Sequence, residues 1–128
     1  MTGAIRAAAE ADPAMVVWWA TEVECASAIA RLERQGDLTS EATQAALARL
    51  DAIADGWHQV EPGEVVQRAA RRVLRIHELR AGDAFQLAAA IVASENQPES
   101  LEFVSLDERL VVAARREGFS VHALVQSE

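Results

Sequence analysis

Short apolar runs alternate along the chain with longer stretches that have helical periodicity. Residues 14–20 and 101–106 are mostly apolar and are bounded by turn signals, which is typical of strands buried inside a sheet. Weaker strands are predicted at 57–60 and 119–124. Helices are predicted at 2–11, 21–35, 39–55, 64–78, 84–94 and 107–117.

This alternation of strands and helices predicts an α/β fold with a mainly parallel sheet and right-handed crossovers. The length of 128 residues fits a single domain covering 1–128. In open α/β sheets the functional site lies beyond the carboxyl ends of the strands. The junctions between each strand and the following helix are therefore the places to search for chemistry.

Composition excludes several classes of protein. The chain has 12 basic residues, all arginine, and 20 acidic residues, so its net charge is −8. This charge argues against a protein that holds nucleic acid simply by being basic. Cys25 is the only cysteine, which excludes a disulfide framework and a multi-cysteine zinc site. The apolar runs are far shorter than the roughly 20 residues that span a bilayer, and no signal peptide is visible. A cytoplasmic protein without a membrane partner is expected.

Three acids lie at strand-to-helix junctions or at the start of the apolar helix. Glu24 follows the strand at 14–20, Asp107 follows the strand at 101–106, and Asp83 precedes the helix at 84–94. The predicted fold allows all three to meet at one edge of the sheet. Clustered carboxylates raise one another's pKa, and a hard cation such as Mg²⁺, which prefers oxygen ligands, removes that penalty. Such a site can activate water for phosphodiester cleavage.

Each acid also has a purely structural interpretation as a helix cap. Thr21 and Glu24 have the spacing of a capping box, and Asp83 could be an ordinary N-cap. Ser105 and Glu108 form a second possible capping box, which would make Asp107 only a first-turn acid. Capping and metal binding are compatible, because a capping carboxylate keeps lone pairs free.

Three segments resemble blocks of the PIN-domain family. The segment 79–90, in which Asp83 begins an alanine-rich apolar helix, resembles the third acidic motif of that family. The segment 102–118 resembles its C-terminal block, with a strand ending in serine, then Asp107, and a helix leading to a glycine. The segment 21–31 resembles its conserved-glutamate helix. The similarity extends beyond these segments to nearly all of residues 4–124, in the family's order and with family-like spacing.

This resemblance implies a three-layer α/β/α domain and the activity of the VapC-type toxin ribonucleases of toxin–antitoxin pairs. Glu24, Asp83 and Asp107 would be the catalytic acids and ligands of Mg²⁺ or Mn²⁺, and Ser105 a supporting polar group. An RNA substrate, a cognate antitoxin protein and a homodimer are the implied partners.

One departure from the family concerns its first strand, which ends in an aspartate that binds metal. The chain begins in what corresponds to the helix after that strand, so the domain is expected to be N-terminally incomplete. The strands at 14–20 and 101–106 would then lack a central neighbour and leave unpaired edges. The expected consequence is weak or absent ribonuclease activity. The alternative is a catalytically inactive PIN-like module that binds other proteins.

Arginines are concentrated between residues 68 and 80. Arg68, Arg71, Arg72 and Arg75 are spaced to form one face of a helix, and Arg80 follows it. They are candidates for contact with RNA phosphates or with an acidic antitoxin, and the alternative is an ordinary solvated helix face.

Overall fold

The computed structural model describes residues 4–7, 15–105 and 107–123. Its strands are β1 (Ala4–Ala7), β2 (Met15–Trp18), β3 (His58–Val60), β4 (Leu101–Ser105) and β5 (Ser120–Ala123). Its helices are α1 (Thr21–Arg34), α2 (Ser40–Ala54), α3 (Glu64–Ile76), α4 (Ala81–Ala93) and α5 (Glu108–Arg116), with a short 3₁₀ helix at Pro98–Ser100. Helices alternate with strands as predicted, and the α/β class is confirmed.

The described strands form one sheet in the order β3-β2-β1-β4-β5. Strand β2 pairs in parallel with β3, and β4 pairs in parallel with β5. Strand β1 lies between these two pairs and is antiparallel to both β2 and β4. Four strands therefore run in one direction around a reversed central strand, and the carboxyl ends of β2 and β4 lie at the same edge.

Strand β1 corrects two expectations. The helix predicted over 2–11 is wrong where the structure describes it, because Ala4–Ala7 is a strand. The central position, expected to be empty, is filled: Ile5 pairs with Val16 on one side and with Phe103 on the other. The physical reason is that β2 and β4 would otherwise leave two apolar edges without hydrogen-bond partners. That requirement outweighs the local helix propensity of alanine.

Local signals position the ends of the helices. Thr39 caps α2, because its Oγ1 accepts a hydrogen bond from the Ala42 amide at 3.0 Å. Gly36 follows α1 with φ of +84°, a conformation that glycine adopts without strain. Helix α4 begins at Ala81, three residues earlier than predicted. Gly82 and Asp83 therefore lie inside its first turn rather than in a break before it.

The main apolar core lies between the sheet and helices α3, α4 and α5. Phe103 of β4, Leu87 of α4 and Leu110 of α5 are fully buried there. Trp18, at the end of β2, stacks on Phe85 of α4 with ring centroids 5.1 Å apart, which fixes the start of α4 against β2. Helices α1 and α2 pack chiefly against each other. The three-layer PIN-like arrangement is not confirmed. In the part of the chain that the structure describes, no helix is long and apolar enough to cross a membrane.

Candidate metal centre

Three structural elements bring the predicted acids to the carboxyl edge of the sheet. Helix α1 presents Glu24 after β2, the loop after β4 presents Asp107, and the first turn of α4 presents Asp83. The charge of Asp83 acts on Glu24, and the charge of Asp107 acts on Asp83. We call these three side chains the carboxylate cluster.

Glu24 is held against the start of α4. Gln86 Nε2 donates a 2.9 Å hydrogen bond to Glu24 Oε1. The other oxygen, Oε2, lies 3.5 Å from the point where a Cβ on Gly82 would stand, so it rests close over the α4 backbone. Burial raises the pKa of Glu24; the hydrogen bond from Gln86 opposes this effect, and the negative charge of Asp83 adds to it.

The predicted capping box of Thr21 and Glu24 is wrong. The N-cap of α1 is Ala20, and no side chain bonds to the free amides there. Thr21 Oγ1 is buried without a hydrogen-bond partner among the described residues. Glu24 therefore bonds to α4 instead of to its own helix, and capping does not explain its position.

Asp83 is the third residue of α4, whose N-cap is Arg80. The interpretation of Asp83 as an N-cap is therefore wrong. Burial raises the pKa of Asp83 and the charge of Asp107 raises it further, while Arg80 and Arg109 act in the opposite direction. The like charge of Asp107 favours a metal ion beside Asp83. The two arginines nearby would attract the phosphate of a ligand bound to that ion.

Asp107 does cap a helix, although not in the predicted way. Its Oδ1 accepts hydrogen bonds from the amides of Arg109 at 2.9 Å and Leu110 at 3.2 Å. Ser105 Oγ accepts a 3.0 Å bond from the Asp107 amide, so Ser105 fixes the loop and does not form the predicted box with Glu108. Both capping bonds use Oδ1, and Oδ2 takes no part in the cap. The orientation of this carboxylate is therefore set by the backbone.

The donor set suits a partly hydrated cation better than a protein cage. Among the described residues, no group of three or more His, Cys, Asp or Glu side chains is arranged closely enough to enclose a metal ion. Mg²⁺ needs only one or two carboxylates, and it keeps several waters or takes phosphate oxygens for the rest of its shell. Such an ion would be held by one or two carboxylates of the cluster, with water or phosphate oxygens completing its shell.

Two neighbours of the cluster were not assigned a role there from sequence. Gln86 lies one helical turn after Asp83 on α4, so the i to i+3 spacing was the available signal. Arg109 lies in the first turn of α5, two residues after Asp107, and its charge reaches Asp83. Neither side chain has a recognisable motif of its own.

The four arginines of α3 lie on one face of that helix, as predicted. This face lines a groove. Arg68, Arg71, Arg72 and Arg75 line it together with Ile76, and its volume is about 600 Å³. Arg80 does not line this groove; it precedes α4 beside Asp83.

No protein-family model matches the chain, and no curated protein matches it.

Proposed function

We propose that this chain is a metal-dependent endoribonuclease of the PIN type, with Mg²⁺ or Mn²⁺ held by Glu24, Asp83 and Asp107. The supporting observation is the carboxylate cluster itself. Acids from three separate elements lie near one another at the carboxyl edge of the sheet, and burial and like charge raise the pKa of Glu24 and Asp83. The resemblance adds the VapC-type toxin role, the antitoxin and the homodimer to this proposal.

The side chains divide the work by position. Gln86 orients the Glu24 carboxylate through Oε1, and the α5 amides orient Asp107 through Oδ1. Asp83 is close enough to the other two acids for its charge to act on Glu24 and for the charge of Asp107 to act on it. A bound Mg²⁺ or Mn²⁺ supplies a water of lowered pKa and stabilises the charge that develops on the phosphodiester. Arg80 and Arg109, whose charges act on Asp83, would attract a phosphate of the RNA to this carboxylate.

The direction of the central strand β1 supports the expectation that ribonuclease activity is weak. In the family, the first strand contributes a metal-binding aspartate at its carboxyl end. Here β1 is antiparallel to β2 and β4, so its carboxyl end lies at the opposite edge from the carboxylate cluster. This observation also supports the second candidate, a PIN-like binding module that has lost cleavage.

Asp83→Asn and Asp37→Asn form a matched pair for testing the proposal. Both remove one carboxylate, but Asp37 lies exposed just after α1, at the opposite end of that helix from Glu24. We expect slow cleavage of single-stranded RNA that requires Mg²⁺ or Mn²⁺, a loss of at least about tenfold in Asp83→Asn, and no loss in Asp37→Asn. The readout is the initial rate with and without chelator.

Two results would decide against catalysis at this site. Cleavage that persists in chelator, or that survives in Asp83→Asn, would show that the activity arises elsewhere. An absence of cleavage together with an absence of Mg²⁺ binding by calorimetry would favour the non-catalytic binding module.

A further inference from the structure

Two grooves lined by residues of α3, of α5 and of the segment after α3 are connected by one partly exposed bridge. Glu117, just after α5, accepts hydrogen bonds from Arg72 at 2.8 Å and from His77 at 2.7 Å. Arg72 lines the groove on α3 described above, which we call the arginine groove. His77 lines a second groove of about 290 Å³, which we call the α5 groove. The bridge therefore joins α3 to the end of α5 and places the two grooves side by side.

The α5 groove begins at this bridge and ends at Arg109, which neighbours the carboxylate cluster. Arg116, Val112 and Arg109 line it along successive turns of α5. At its far end the Arg109 amide bonds to Asp107, and the Arg109 charge acts on Asp83. From Arg109 to Arg116 the helix rises about 10 Å, and from Arg68 to Arg75 it rises about the same distance.

The charge of these grooves contrasts with that of the whole chain. Among the described residues the arginine groove is lined by four arginines and no acid, although the chain has a net charge of −8. Arg68 pairs with Glu64 and Arg72 with Glu117, whereas Arg71 and Arg75 are exposed on the groove. In the α5 groove Arg109 and Arg116 are matched in number by Glu78 and Glu108, so its lining carries no net positive charge and offers a phosphate these two arginines only.

We propose that the arginine groove and the α5 groove together form a track that binds the phosphates of a single-stranded RNA and leads it to the carboxylate cluster. This inference rests on the proposed function for the identity of the ligand. Its support is the continuity of the two grooves through the Arg72–Glu117–His77 bridge and the arginines along both. The excess positive charge of the track lies in the arginine groove, and a positively charged groove that follows the backbone is one of the two general means by which proteins hold single strands.

The test compares two triple variants that remove the same total charge. Arg71→Gln/Arg75→Gln/Arg116→Gln changes exposed arginines on the track. Arg31→Gln/Arg49→Gln/Arg115→Gln changes exposed arginines that do not line either groove. Both triples are made in the Asp83→Asn background and measured in chelator, so that the RNA stays intact. Anisotropy of a labelled single-stranded RNA is followed over a range of NaCl concentrations.

Each phosphate contact on a single strand contributes about 0.7 to the slope of log affinity against log salt. We expect the track triple to lower this slope by about 2 and the control triple to leave it unchanged. An equal fall in both triples would show that only net charge matters and would overturn the track, as would no fall in either. Binding of poly-glutamate in place of RNA, with the same dependence on Arg71 and Arg75, would assign the groove to an acidic protein instead.

In this design the proposed function and the proposed RNA track can each be contradicted without the other. RNA binding is measured without metal and without cleavage, so an inactive enzyme can still show the arginine-dependent slope. Conversely, a chain that cleaves RNA with metal but shows no difference between the triples would retain the proposed function and lose the track.

Discussion

Asp83 shows how differently one residue can be interpreted from sequence and from structure. At the third position of α4 its charge is favoured by the helix dipole, which alone would explain an acid there. Its pKa is nevertheless raised, because burial and the charge of Asp107 outweigh the cations around it. The same holds for Glu24, whose pKa is raised by burial and by Asp83 despite the hydrogen bond from Gln86. Neither carboxylate is used as a helix cap, so capping does not account for their position, and the proposed cation would neutralise their charges.

Glu117 is the opposite case, a carboxylate that its partners stabilise in the charged form. Burial by itself would raise the pKa of Glu117, but the hydrogen bonds and charges of Arg72 and His77 outweigh it and hold the pKa below its ordinary value. A lowered folded-state pKa means that the stabilisation is complete above the unfolded-state pKa and disappears as the pH falls through the folded one. We expect Glu117→Gln to lower the free energy of unfolding at neutral pH by about 1.5–3 kcal/mol.

Urea unfolding over a series of pH values checks this prediction. The difference between wild type and Glu117→Gln should shrink as the pH falls below the ordinary glutamate range. Glu99→Gln, at an exposed site on the short 3₁₀ helix, is the control and should change the unfolding midpoint little at any pH. A difference for Glu117→Gln that stayed constant down to low pH would mean that the ion pair with Arg72 contributes nothing.

At the scale of elements, the helices were predictable because their signals are local. Thr39 and Gly36 mark helix ends through bonds and angles that involve only nearby residues. Strand β1 was not predictable in this way. The sequence around Ala4–Ala7 favours a helix, and the strand exists because two edges distant in the chain, β2 and β4, both pair with it. Its direction, antiparallel to both, depends on the whole sheet and left no sign in the sequence.

The central position of β1 predicts a severe effect of proline there. Ile5 pairs across both neighbouring strands, so Ile5→Pro removes a backbone donor from the middle of the sheet and disturbs both sides. We expect a loss of at least about 3 kcal/mol in the free energy of unfolding, measured by urea denaturation. Ile5→Val keeps the backbone donor and a β-branched side chain. Its loss in the free energy of unfolding therefore measures the effect of changing the side chain alone. Equal midpoints for Ile5→Pro and Ile5→Val would contradict a paired central strand.

The position of the candidate site was predictable to the level of the sheet edge. The rule that ligands bind beyond the carboxyl ends of strands selected Glu24, Asp83 and Asp107, and their charges do act on one another. What each acid bonds to was not predictable. The bond from Gln86 to Glu24 joins residues far apart in the chain, and the choice of Asp107 rather than Ser105 as the cap of α5 depends on the exact end of β4.

At the scale of the whole molecule, the carboxylate cluster draws on both halves of the sheet. Glu24 follows β2 in one half, Asp107 follows β4 in the other, and α4 presents Asp83 between them. Strand β1 pairs with both halves, and helix α4 packs against β2 in one half and against α5, which packs on β4 in the other. A cation bound by this cluster would therefore stabilise the assembled fold and not one element alone, which makes global stability a measure of metal binding.

Thermal and urea unfolding in Mg²⁺ test this coupling without any assay of catalysis. At a free Mg²⁺ concentration 100 times its dissociation constant, wild type should gain about 2.7 kcal/mol over the metal-free protein. At a fixed Mg²⁺ concentration the gain should grow as the pH rises through the raised pKa values of Glu24 and Asp83, because Mg²⁺ binds the deprotonated carboxylates in competition with protons. Gln86→Met removes the donor that orients Glu24 and should weaken Mg²⁺ binding about tenfold or more, since partners of metal ligands commonly contribute that much. Gln44→Met, exposed on α2, should retain the full gain, and NaCl at equal ionic strength separates binding from screening. If NaCl stabilises wild type as much as Mg²⁺ does, the cluster holds no specific cation.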